Sequence, residues 1–178
     1  KLLKQIYYFK QLRKFFKSNI ILNSCSVVNI NPSKVNYKRS GIWHRDVKYF
    51  NKNLYTDMLL LIVPVTDSLK INGATKFKIK NKIYQPALFK RDLLVADARL
   101  LHKSGFNRTS KKRTIITICI TPPHIKPIYD FSKNNFKIQK TPGYLKQLIG
   151  FNSRVPGNNK DFFQKDNKKR FFRKDQFN

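Results

Sequence analysis

The sequence predicts an all-β core with flanking helices, a sandwich or a jelly-roll barrel. Three observations carry this reading. Short runs rich in β-branched and aromatic residues recur between tight polar turns, and helical periodicity is confined to the two ends of the chain. The longest apolar stretch, MLLLIVPV at 58–65, has the length of a strand and falls far short of a membrane span. At 178 residues the chain is sized for one domain with a real core.

The elements follow in order. KLLKQIYYFKQLRKFF sets Leu2, Leu3, Ile6, Phe9, Leu12, Phe15 and Phe16 at helical spacing among lysines, which predicts one amphipathic helix packed on the domain that follows. A basic targeting helix is the other reading, but the central apolar run and cleavage site of a secretory signal are missing. Because the first residue is Lys1 and not Met, the natural start is expected upstream. Extended runs come next: SVVNI (26–30), GIWHRD (41–46), YFNKNLY (49–55) and DMLLLIVPVTD (57–67), the last apolar enough for a central strand. Asn72-Gly73 marks a turn before the alternating strand TKFKIK. RDLLVADARLL (91–101) reads as one strand and RTIITICITPP (113–123) as another, the latter strongly β-branched. GYLKQLIGF (143–151) predicts a short late helix. Residues 1–156 thus form one domain, and 157–178 a basic, partly ordered tail.

Net charge is +29, from 38 Lys and Arg against nine acidic residues, all of them Asp. Such a field attracts polyanions non-specifically. The excess, however, is lysine spread along the chain with Asn, Ile, Phe and Tyr, as A/T-rich codons would produce. Only KKRFFRK (168–174) gathers basic and aromatic residues into one block. Nucleic acid is therefore not the expected biological partner. Cys25 and Cys119 lie far apart in apolar surroundings and read as a buried pair of free thiols in preference to a disulfide; with the features of a secretory signal missing, a reducing, cytoplasmic setting is expected. No phosphate-binding Gly-rich loop, nucleophile elbow or internal repeat is present, and the absence of Glu excludes a paired-Glu glycosidase.

The chemistry-bearing feature is WHRD. His44 and Asp46 stand at i and i+2, which in a strand puts both on one face. An imidazole and a carboxylate so placed occupy neighbouring positions of a six-coordinate Fe(II), and a second His completes a 2-His-1-carboxylate facial triad. His102 and His124 are the candidates. His124 sits in TPPHIKP, a proline-rich surface exit, whereas His102 ends LLVADARLLH at an expected strand-to-loop boundary. Eleven residues later comes Arg113, whose planar fork suits the far carboxylate of a 2-oxoglutarate co-substrate.

WHRD, NGATKF and LLVADARLLHKSGFNRTSKKRT together resemble the phytanoyl-CoA dioxygenase family of Fe(II)/2-oxoglutarate oxygenases, over about residues 39–123. The resemblance implies a double-stranded β-helix (jelly-roll, cupin-like) barrel in which His44, Asp46 and His102 bind iron and Arg113 binds 2-oxoglutarate. It adds Ser104 as a hydrogen-bond donor to the same carboxylate and gives Asn107 no role. It also implies O2-dependent hydroxylation of an aliphatic C–H in a small-molecule or acyl, lipid-like substrate, possibly an anionic one. Asp46 favours hydroxylation over halogenation, since a halogenating subgroup has a small residue there. The chain is shorter than most of the family. Two other classes stay open: a non-catalytic jelly-roll binding protein, and a basic protein binding nucleic acid or anionic lipid through its charge.

Overall fold

In the computed structural model of the chain, residues 1–33, 41–47, 56–131, 140–151 and 160 are described. The expected strand at 49–55 and the basic block at 168–174 lie outside them. Among the described residues, seven strands form two sheets: β1 (Ile21–Ile30), β2 (Leu59–Pro64), β3 (Thr75–Ile79), β4 (Lys82–Tyr84), β5 (Leu94–Asp97), β6 (Leu101–Ser104) and β7 (Arg113–Thr121). One sheet has the order β1-β7-β2-β5 and the other β4-β3-β6. β2 runs antiparallel to both β7 and β5, and β3 to both β4 and β6. Mostly antiparallel sheet with few helices is the architecture observed.

The chain divides into two compact units, one spanning Ser24–Ile120 and the other combining Lys1–Asn23 with the chain from Thr121 onward. In the Ser24–Ile120 unit the apolar run at β2 becomes the central strand, with Leu59 to Ile62 all buried. A β-strand buried on both faces must be apolar at every position, and this one is. Leu60 and Ile62 of β2 share a core with Ile115 and Cys119 of β7, with Met58 and Ala98, and with Phe77 of the smaller sheet. Both sheets therefore bury side chains in one core.

The other unit contains α1 (Leu2–Tyr8), α2 (Lys10–Phe16) and α3 (Gly143–Leu148). The single N-terminal helix expected from periodicity is broken at Phe9, whose backbone is extended, and no Pro or Gly marks the break. α1 packs on α3, with the rings of Tyr7 and Tyr8 each 6.0 Å from Tyr144. Ile6, Leu12, Leu148, Ile149 and Phe151 are buried. None of the described helices is long and apolar enough to cross a membrane.

Three local features set up the site. The run 91–101 is not one strand. Asp97 accepts a hydrogen bond from Arg99 N (2.8 Å), another from Thr56 Oγ1 (2.9 Å) and an ion pair from the Arg99 guanidinium (2.6 Å). This Asx-type turn ends β5 and sends the chain into β6 of the other sheet. His102 consequently lies within β6 and not at a strand-to-loop boundary. The Asn72-Gly73 turn forms as expected, with Gly73 at φ +84; a Cβ there would come within 2.7 Å of Gly105 O, so only glycine fits. Ahead of β7, Asn107 is fully buried. Its amide donates to Ile30 O (3.0 Å) and Lys111 O (2.7 Å), while its oxygen accepts from Thr109 N (3.0 Å) and Thr109 Oγ1 (2.7 Å). It pins the loop that delivers Arg113. Asn107→Ala strands these groups and is expected to lower unfolding free energy by about 2–4 kcal/mol in urea titration; a loss below about 0.5 kcal/mol would show that the loop is held by other means.

Candidate metal centre

His44 belongs to no regular strand, yet it pairs with β6 through two mutual backbone hydrogen bonds. His44 N donates to His102 O (3.0 Å) and His102 N to His44 O (2.9 Å). Residues so paired in an antiparallel arrangement put their side chains on the same face. The two imidazole centroids are accordingly 4.3 Å apart. Asp46 is fixed one step further along, its N–H donating to Ala98 O at 3.1 Å, and it shares that face with His44. Trp43, on the opposite face, lies under the Lys103 ammonium, 4.9 Å from its ring centroid.

Each imidazole has one nitrogen committed. His44 Nδ1 is 2.8 Å from Ile42 O and His102 Nδ1 is 2.9 Å from Leu100 O. A carbonyl oxygen only accepts, so Nδ1 carries the proton in both neutral rings and the Nε2 lone pairs are free. Both Nε2 atoms face Asp46: His44 to Oδ1 at 3.7 Å and His102 to Oδ2 at 3.7 Å. The three ligand atoms lie within 4.8 Å of one another. Neighbouring ligands on a bound ion at ~2.1 Å would be about 3 Å apart, so an ion draws the three inward. His44, with a side chain 53% exposed, has room to move, while His102 at 8% is held between His44 and Phe77. A nitrogen–nitrogen–carboxylate set with the Nδ1 protons anchored in carbonyls is a metal-binding arrangement.

Cys119 adds a contact that the sequence did not suggest, its Sγ lying 3.7 Å from Asp46 Oδ2. Burial, foremost, pushes this thiol up to about 12, so it stays protonated and donates to the carboxylate. Cys119 is buried and Cys25 exposed, and both are free thiols; the expected burial of the pair holds for Cys119 alone.

Arg113 opens β7 only 1% exposed. Its Nη1 donates to Ser68 Oγ (3.2 Å), while Nε and Nη2 find no hydrogen-bond partner among the described residues. Burial pushes the guanidinium down to about 10. Ser68 is 45 residues away and carried no sequence signal. Ser104 ends β6 opposite Thr75, and its hydroxyl makes no side-chain hydrogen bond among the described residues. His124 is exposed in a turn of the other unit and Arg45 is exposed beside the site.

No protein-family model matches the chain, and no curated protein matches it. Solved structures do share its fold. A non-heme monooxygenase, ThoJ in complex with nickel, superposes with a TM-score of 0.50 at 16% identity, over 68% of this chain and 52% of that one. The non-heme alpha-ketoglutarate-dependent epimerase SnoN of nogalamycin biosynthesis gives 0.52 at 14% identity, over 68% and 58%. HygX of Streptomyces hygroscopicus, with nickel, 2-oxoglutarate and hygromycin B bound, gives 0.51 at 10% identity, over 71% and 65%. The chain thus spans roughly half to two thirds of these proteins. At 10–16% identity the likeness is one of fold alone, and a place among the phytanoyl-CoA dioxygenases in particular is not part of it.

The state of Arg113 has a measurable effect. The folded protein holds its proton less tightly than the unfolded chain, so the charge costs stability below about pH 10, and the cost fades as pH rises toward 12.5. At pH 7, Arg113→Met is expected to raise stability by about 1 kcal/mol or more in urea titration. A loss instead would mean that the guanidinium is already matched by a counter-charge in the free protein.

Proposed function

We propose that the chain is an Fe(II)/2-oxoglutarate-dependent oxygenase that hydroxylates an aliphatic C–H of a small molecule. The observation that carries this reading is the convergence of two imidazole Nε2 atoms and one carboxylate within 4.8 Å of one another; a buried guanidinium with idle donors in the same compact unit supports it. The donor set fits a divalent first-row metal with coordination positions to spare. The idle donors fit a carboxylate, because a fork of parallel N–H groups is what a bidentate acid requires.

In this reading His44, Asp46 and His102 hold the iron. The Nε and Nη2 of Arg113 receive the far carboxylate of 2-oxoglutarate, Ser68 steadies Nη1, and Ser104 gives a further hydrogen bond to that carboxylate. When bound, iron and 2-oxoglutarate supply the oxidising power, coupling decarboxylation of the keto acid to transfer of one oxygen atom of O2 to a C–H bond. The protein's part is orientation. Leu100 O fixes the His102 tautomer, Ile42 O that of His44, and Cys119 directs Asp46 Oδ2. Phe77 and the buried flank of His102 close one side, and the half-exposed His44 leaves the other open to substrate. A carboxylate at position 46 occupies the coordination site that a halide would need, which favours hydroxylation. That HygX holds hygromycin B alongside 2-oxoglutarate supports a small-molecule substrate here.

The test is an anaerobic titration with Fe(II) and then 2-oxoglutarate, followed by the visible metal-to-ligand charge-transfer band. Wild type is expected to develop the band and His102→Ala to lack it. Arg113→Met should demand about 10- to 100-fold more 2-oxoglutarate. A folded wild-type protein with no band would overturn the proposal.

A further inference from the structure

Away from the metal centre, three cations line a groove with no carboxylate among them. Lys70, Lys76 and Arg108, with Ile71, Gln85 and Phe106, enclose about 350 Å3. We infer that this groove binds a small phosphate ester: a dianionic phosphate on the three cations, with an apolar or ring portion against Ile71 and Phe106.

The walls are built independently of any ligand. Arg108 N donates to Ile71 O (2.8 Å), Gly105 N to Gly73 O (3.1 Å), and Asn72 and Asn107 form a backbone bridge. Gln85 Nε2 donates to Ala74 O (2.9 Å), which fixes its amide at the rim and leaves its other N–H and its carbonyl oxygen for a ligand. These tie the 69–73 turn to the 105–108 loop, so the groove stands open without induced fit. Lys76 points to the sheet face opposite Phe77 and His102, because side chains alternate along β3; the groove is thus separate from the metal centre.

Electrostatics argue for an anionic occupant. Lys76 is the direct cross-strand partner of Lys103 in the β3–β6 register. Like charges directly opposite in a sheet are destabilising, and no ion pair to a carboxylate relieves Lys70, Lys76, Lys103 or Arg108 among the described residues. Lys103 is turned onto the Trp43 ring, leaving Lys76, half-buried, to face the groove. A phosphate placed there supplies the missing counter-charge through charge-assisted hydrogen bonds, and Arg and Lys are the side chains suited to it. Size selects the class. A cavity at the low end of small-molecule sites holds a monoester with a ring or short chain, not a nucleic-acid strand. Ile71 and Phe106, 59% and 38% exposed, offer that organic part an apolar surface.

The experiment maps amide shifts of the full-length, metal-free protein by two-dimensional NMR at 0.15 M NaCl, titrating phenyl phosphate and, separately, inorganic phosphate. Phenyl phosphate is expected to shift the Gln85 side-chain amide and the backbone amides of Ile71, Phe106 and Arg108. The shifts should saturate with a Kd of about 1 mM or below; inorganic phosphate should act at the same residues more weakly. Lys76→Gln with Arg108→Gln should weaken binding at least about 10-fold, whereas Lys10→Gln with Lys14→Gln should leave it unchanged. Non-saturating shifts spread over lysines everywhere, equal weakening by both pairs, or shifts centred on Ser68 and Arg113 would each overturn the assignment. Because no metal is added, the outcome is independent of the oxygenase proposal.

Discussion

The reciprocal backbone hydrogen bonds between His44 and His102 are the constraint on which the site depends. They attach a segment with little regular structure of its own to β6, and in doing so align two imidazoles without help from the side chains. The remaining geometry follows from that registration. Asp46, two residues along, returns to the same face; each histidine reaches its own i−2 carbonyl; Phe77, directly across from His102 on β3, closes the inner flank. A shift of one residue in this pairing would turn His44 outward and bring Trp43 in.

Much of this was legible in the sequence, because the strongest signals were local. The i and i+2 spacing of His44 and Asp46 puts them on one face of any extended segment, so the pair converges even where no full strand forms. β2 and β7 announced themselves through uninterrupted apolar and β-branched residues. What was illegible depends on partners far along the chain. The turn that divides 91–101 needs Thr56, 41 positions before Asp97, and it decides that His102 sits inside a strand. The break at Phe9 has no proline or glycine to announce it. Arg113 could be picked by residue type and spacing, but its solitude is a property of the folded core, as is the contact of Cys119 with Asp46. β4 is a three-residue strand, too short for any periodicity to show.

The distribution of carboxylates explains how so basic a protein organises itself. The described aspartates are largely committed to local work and not to neutralising lysine. Asp67 accepts from Lys90 N, Asp92 from Phe89 N, and Asp97 shapes the β5–β6 turn, while Asp46 faces the two histidines. With nine acids in all, few remain to pair with surface cations. The β3–β6 outer face therefore keeps its positive potential. At the metal centre the same scarcity is useful, since no second carboxylate among the described residues competes for the ion.

The isolation of Arg113 bears on how the protein would age in evolution. A buried charge that burdens the fold is one that selection for robustness alone would discard. In a gene copy released from the proposed reaction, position 113 should be among the first to drift toward an apolar residue. On the proposed reading the guanidinium serves as a marker: a descendant that keeps it would be one that still binds an anionic ligand.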